Sequence, residues 1–148
     1  TTYTWEAHFP AGETVIVEHR YTPSVGGTVA TTFFGEPYEG RDPMAEYTKK
    51  YCMDKGFVDA VRKTLTKGEP WSAPYQERWL SYILTTGANW GGPIRDFRLV
   101  IDKGDAKNLV SFCGEGVKKI GPTTFEMRAS DFYPQRDLDI LILVRNAE

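Results

Sequence analysis

Apolar and polar residues alternate along much of this chain, and the alternation predicts strands before any other feature does. Tyr3, Trp5, Ala7 and Phe9 alternate with Thr4, Glu6 and His8. After Pro10-Ala11-Gly12, a second run sets Val15, Val17, His19 and Tyr21 on one side. A period of two is the signature of a half-buried strand, and a three-residue loop with glycine in the left-handed third position joins two such runs into a hairpin. An odd loop length preserves parity, so the Tyr3/Trp5/Ala7/Phe9 row and the Val15/Val17/His19/Tyr21 row share one face, assigned here to the core. His19 is then a packing residue, and His8 points the other way.

The longest patterned segment covers 75–103, where two alternating runs flank a loop rich in glycine. It predicts a central β-hairpin with a wide tip, Pro93 marking the point where its second strand begins. In the first run Trp79, Ser81, Ile83 and Thr85 alternate with Leu80, Tyr82 and Leu84, so both faces carry apolar residues and the strand is expected to be covered on both sides. In the second, Phe97, Leu99 and Ile101 oppose Asp96, Arg98, Val100 and Asp102. Shorter strands are expected over Thr28–Phe34 and Leu109–Cys113, and as a pair over Val117–Ile120 and Thr123–Ala129. The run Leu138–Val144 is apolar enough for a buried strand.

The pattern changes period between roughly 42 and 67. Asp42 before Pro43 reads as an N-cap followed by proline at the first helical position, with Met44, Tyr47, Lys50 and Tyr51 at helical spacing. A second helix over Lys55–Thr66 aligns Phe57, Val58, Val61 and Leu65, with Gly68 available to end it. The expected fold is mostly β, an antiparallel β-sandwich of about nine strands with this helical insertion. Residues 1–148 form a single domain, since no repeat, low-complexity tract or linker divides them.

Composition adds little to that picture. Charged residues at 26% and a net charge of -2, with both signs interspersed, produce no field that would recruit nucleic acid or an anionic membrane. No apolar run reaches the ~20 residues of a membrane-spanning helix, so no integral membrane segment is expected. The chain opens without methionine inside the strand-like Thr1-Thr2-Tyr3-Thr4-Trp5, which points to a piece of a longer or matured protein.

Candidate chemistry is sparse. Cys52 and Cys113 show neither CxxC nor metal-ligand spacing, leaving buried free thiols, one disulfide or reactive groups open. At the tip, Trp90 beside Asn89, Arg95 and Asp96 has the make-up of a sugar or peptide platform. The competing expectation, favoured because tryptophan is more often buried than displayed, folds Trp90 back to cap the end of the sandwich. Trp5 and Trp71 are expected to pack likewise, and Trp79 to lie in the core. His8 and His19 do not share a face, and there is no HExxH, GxSxG, Walker or dinucleotide motif. No metal, cofactor or catalytic residue is therefore assigned, and Asp102 to Asp105 is read as a solvated turn.

Several longer stretches are distinctive: Val17-Glu18-His19-Arg20-Tyr21 with Pro23-Ser24-Val25-Gly26-Gly27, Leu84-Thr85-Thr86-Gly87-Ala88-Asn89-Trp90, Phe97-Arg98-Leu99-Val100-Ile101-Asp102-Lys103-Gly104, and Asn108-Leu109-Val110-Ser111-Phe112-Cys113-Gly114-Glu115-Gly116-Val117. In these the chain resembles a bacterial exported family, domain of unknown function 4424 (DUF4424). The resemblance implies a C-terminal half of a longer protein that follows a signal peptide and a β-rich N-terminal half. It also implies a periplasmic or secreted location, and with it a Cys52–Cys113 bridge. The family has no established activity, so no site residue is carried over. The expected function is a non-enzymatic binding or assembly module, through the tip or an edge strand, with an unknown protein or glycan partner or its own N-terminal domain. The alternatives are a cell-envelope hydrolase acting on carbohydrate or peptide, and a purely structural partner of that N-terminal domain.

Overall fold

The computed structural model describes residues 4–66, 69 and 71–146. It is mostly β, with seven strands among the described residues: β1 (Gly26–Thr28), β2 (Tyr75–Tyr82), β3 (Ile94–Asp102), β4 (Leu109–Phe112), β5 (Lys118–Lys119), β6 (Thr124–Phe132) and β7 (Leu138–Arg145). Two helices, α1 (Pro43–Tyr51) and α2 (Lys55–Arg62), lie between β1 and β2. The strands form two antiparallel sheets, one ordered β1-β2-β7-β4 and the other β3-β6-β5.

β7 is the strand around which the four-stranded sheet is built. Its residues Leu141 and Leu143 are fully buried, and Leu138 and Ile140 nearly so, because neighbours flank it at both edges and apolar layers cover both faces. On one face Leu141 and Leu143 join Phe33, Tyr51, Met53, Val61 and Tyr75 under the helices. On the other, Leu138 and Ile140 meet Ile101 of β3, with Leu80, Leu99, Val110 and Phe112 around them. The molecule is thus three layers deep: helices, four-stranded sheet, three-stranded sheet. β2 is covered on both sides as its composition predicts, Trp79 toward the helices and Leu80 toward the second sheet.

Both helices start where the capping residues place them. Asp42 accepts hydrogen bonds from the Met44 and Ala45 amides, and Asp54 accepts one from Phe57. α2 ends at Arg62, earlier than Thr66, and Gly68 lies outside the described residues, as do Thr1 to Tyr3. The expected strand over Thr28–Phe34 does not form: β1 ends at Thr28, and Thr32–Phe34 instead forms a 3-10 turn that buries Phe33 beside Phe57 and Tyr47.

Two expectations fail. β2 and β3 are not a hairpin: β2 lies between β1 and β7, whereas β3 pairs with β6 in the other sheet. The connection is a sheet-to-sheet crossover containing a 3-10 helix, Thr85–Asn89. Two strands facing one another across a core show the same alternation as two strands paired edge to edge, so the pattern alone cannot separate the two cases. The N-terminal hairpin fails differently. Gly12 has the left-handed φ of 78°, Glu13 donates to the Pro10 carbonyl, and the Trp5 and His19 rings lie 4.9 Å apart, so the chain turns where predicted. Among the described residues no ladder joins its two arms, and Trp5, Phe9, Val15, Val17, His19 and Tyr21 are exposed rather than core, because both faces of the four-stranded sheet are already covered by other layers.

Candidate functional site

The tip assigned to ligand binding is solvent-facing. Asn89, Trp90, Arg95 and Asp96 are all exposed, Trp90 at 65%, so its indole does not cap the sandwich. That end is closed by the crossover itself. Gly87 is buried there, in contact with Ile94 and Pro134. Asp137 then ties the crossover to the start of β7, accepting hydrogen bonds from the Leu84 and Thr85 amides, each 3.1 Å, and from Thr85 Oγ1 at 2.7 Å. The Thr85 hydroxyl first, then these amides, hold the Asp137 carboxyl below the usual carboxylate range. No hydrogen bond or ion pair joins the four tip residues to each other among the described residues.

A cleft of about 700 Å3 opens between the ends of the two sheets. β3 supplies Phe97 and Leu99, β6 supplies Met127, Ala129 and Phe132, and the disulfide Cys52–Cys113 forms part of the opposite wall. The cleft exists because the inner rows of β3 and β6 run past the point where the four-stranded sheet stops covering them. Phe97 and Phe132 stack there with ring centroids 4.2 Å apart, an offset aromatic pair that stiffens one side. The disulfide joins the C-terminal cap of α1 to the end of β4, with Cα atoms 5.0 Å apart. Cys52 holds a left-handed backbone, φ 52°, an uncommon conformation for a residue with a side chain. Arg136 secures the same corner, donating to the Lys49 and Lys50 carbonyls at 3.3 and 3.1 Å, with another guanidinium nitrogen 3.7 Å from Cys52 Sγ. A cation over the unpaired carbonyls of a helix C-terminus is the favourable arrangement.

A second, smaller cavity of about 430 Å3 lies on the helical side, between the 3-10 turn at Thr32, the segment 35–46 and Trp71. Beneath it sits Glu77, a fully buried carboxylate on the helix-facing side of β2. It accepts hydrogen bonds from the Thr32 amide, from Thr32 Oγ1 at 3.0 Å, from Tyr47 OH at 2.8 Å and from Trp79 Nε1 at 3.0 Å. Four donors converge on its two oxygens, which is how a buried polar group avoids a large desolvation penalty. The Tyr47 phenol is pushed above its ordinary range, mainly by burial and further by Glu77. Above the floor, Arg41 makes a bidentate pair with Glu46 at 2.8 and 2.7 Å and lies over the Tyr38 ring. That guanidinium holds the Glu46 carboxyl below its usual range.

Sequence reasoning did not single out this second set. Tyr38, Arg41 and Glu46 lie in what reads as a plain loop and first turn, and Trp71 was expected to be buried whereas it is 54% exposed. The signal was Glu77, a lone carboxylate on the apolar row of a strand covered on both sides, which can be stable only if donors converge on it. Among the described residues no three of His, Cys, Asp and Glu come together in a way that could hold a metal ion, and no helix is long and apolar enough to cross a membrane.

A family model described as "Domain of unknown function (DUF4424)" matches residues 1–141. The chain belongs to the DUF4424 family. The match takes in the arm, both helices, the disulfide and all of the second sheet, so the DUF4424 region includes both cavities. No curated protein and no solved structure matches the chain.

Proposed function

We propose that this DUF4424 chain is a non-enzymatic binding domain that receives a small ligand with an apolar or aromatic body in the cleft between its two sheets. One observation carries the reading: an opening of about 700 Å3 whose walls are mainly apolar. A cavity of this size, mainly apolar with polar side chains such as Glu115, Gln135 and Arg136 in its lining, has the make-up of a small-molecule site. Of the two carboxylates lining it, Asp137 and Glu115, the first is spent on the crossover, which supports binding over catalysis. The domain acts as one unit in this reading, because β7 contributes to both cores. A periplasmic or secreted location is part of the proposal and rests on the disulfide, which persists in oxidising compartments. The test is titration with 1-anilinonaphthalene-8-sulfonate, whose fluorescence rises in apolar sites. Wild type is expected to bind at one site, and Ala129→Phe, which fills the cleft, to lose that signal while its melting temperature holds. Undiminished signal in the filled variant would remove the cleft from consideration.

A second reading places recognition at the crossover tip. It is favoured by the exposure of Trp90 next to Asn89, Arg95 and Asp96, an indole displayed on a segment anchored by Gly87 and Asp137. Trp90→Ala should then abolish partner capture without a change in melting temperature; a lowered melting temperature with unchanged partners would argue against it.

A further inference from the structure

The cavity above Glu77 differs in kind from the cleft between the sheets, and its chemistry specifies a different ligand. Two aromatic side chains, Trp71 at 54% and Tyr38 at 52% exposure, stand at its rim. Neither is a loose surface ring. The Trp71 indole lies against Gly35, where a Cβ would come within 2.9 Å of it, so glycine at 35 is what lets the ring settle there. Tyr38 belongs to a tight turn closed by two backbone hydrogen bonds with Arg41, of 3.0 and 2.8 Å, and carries the Arg41 guanidinium over its ring. The rim is therefore preorganised, which spares a ligand the cost of ordering it.

The polar groups are equally fixed. Arg41 and Glu46 hold each other in a bidentate pair and present, side by side, spare N–H donors and spare carboxylate lone pairs. At the floor, the Thr32 and Tyr47 hydroxyls are 2.8 Å apart and both are oriented by the buried Glu77. Glu36 brings the charge of the lining below zero, so an anion is not what the cavity selects. A matching ligand has an apolar face to lie on an aromatic ring and a rim of groups that both donate and accept hydrogen bonds. That is the chemistry of a pyranose, whose axial C–H groups form the face and whose hydroxyls form the rim.

We infer that the cavity bounded by Trp71, Tyr38, Arg41 and Glu46 is a binding site for a neutral saccharide, with Trp71 as the stacking platform and the Arg41–Glu46 pair reading adjacent hydroxyls. Its volume of about 430 Å3 falls within the roughly 300–1,000 Å3 of small-ligand sites. Glu77 is a positioning residue here: it touches no ligand but sets the two hydroxyls of the floor. The site is separate from the inter-sheet cleft and shares none of its lining residues.

Saturation-transfer NMR and tryptophan fluorescence with cellohexaose, maltohexaose and chitohexaose, and with polygalacturonate as a charged control, test the assignment. At least one neutral oligomer is expected to bind and polygalacturonate not to. Trp71→Ala should weaken binding by about tenfold or more, the loss of one aromatic anchor. Tyr38→Ala and Glu46→Gln should weaken it less, and Trp90→Ala and Ala129→Phe should leave it unchanged. Trp71 and Tyr38 are exposed, so their variants are expected to melt like wild type. Failure of all three neutral oligomers to bind, binding that survives Trp71→Ala, or binding lost in Trp90→Ala instead would overturn the assignment, and none of these results bears on the dye titration of the cleft.

Discussion

Residues 4–21 and residues 138–145 have equally strand-like sequences and opposite fates. The first alternates and the second is a nearly continuous apolar run, and both are rich in β-branched or aromatic residues. The second became β7, with partners at both edges and apolar layers on both faces; the first turned at Gly12 and stayed exposed. The difference lies in the neighbours. β-propensity describes a residue suited to a half-buried pleated surface, and a surface is half-buried only if something else supplies the other half. β7 finds β2 and β4 in register, Trp79 opposite Leu141 and Ser111 also opposite Leu141, with helices above and β3 below. Among the described residues the arm meets its own return segment through the Trp5–His19 ring contact and the turn hydrogen bond from Glu13 to Pro10.

Equilibrium denaturation can break this comparison or sharpen it, and the largest effect belongs to β7. Leu141→Ala removes a fully buried side chain and should cost about 4 to 5 kcal/mol, the upper part of the range for buried leucine. Reduction of Cys52–Cys113, or Cys52→Ser with Cys113→Ser, follows. The bridge closes a loop with a sequence separation of 61, for which loop entropy gives about 4 kcal/mol, read as the shift in urea midpoint with and without dithiothreitol. Glu77→Ala on β2, directly beside β7, should cost about 3 kcal/mol by orphaning the Tyr47 and Trp79 donors, and Glu77→Gln should recover part of it. Next is a pH effect at the entrance to β7. The Asp137 pKa is lowered in the folded state, so its stabilisation is complete above the ordinary value of 3.8 and is lost as the pH falls below it. Asp137→Asn should flatten the acid limb of the melting-temperature profile. Smallest is the arm: Ile16→Ser should change stability by no more than about 0.5 kcal/mol. A loss of several kcal/mol there would show the arm to be packed and erase the contrast.

What the sequence made legible follows from the same contrast. Local signals worked where the cause is local: Asp42 and Asp54 cap their helices, Gly12 and Gly104 turn the chain with positive φ, and the two-sided apolar pattern of 75–84 marked a strand covered on both faces. The family resemblance and the Cys52–Cys113 bridge were legible as well. Pairing was legible for β5 with β6 but not for β2 and β3, because Phe97, Leu99 and Ile101 would alternate identically beside β2 or across from it. For the sites, Asn89, Trp90, Arg95 and Asp96 were visible as an unusual composition but not as an exposed group, since exposure depends on what else closes the sandwich end. The Trp71 cavity was illegible because its parts come from the segment 32–47 and from position 71, which only the burial of Phe33 and Glu77 brings into register.

The position of β7 has a consequence for the order in which the protein can assemble. A polypeptide is made from its N-terminus onward, so β1, β2 and β4 exist before the strand that must lie between two of them. Until residues 138–145 are available, β2 and β4 each present an unsatisfied inner edge, and neither apolar cluster can close, because Leu141 and Leu143 are missing from one and Leu138 and Ile140 from the other. Closure of the four-stranded sheet and of both clusters therefore waits on one segment and depends on contacts distant in sequence, which are slow to form.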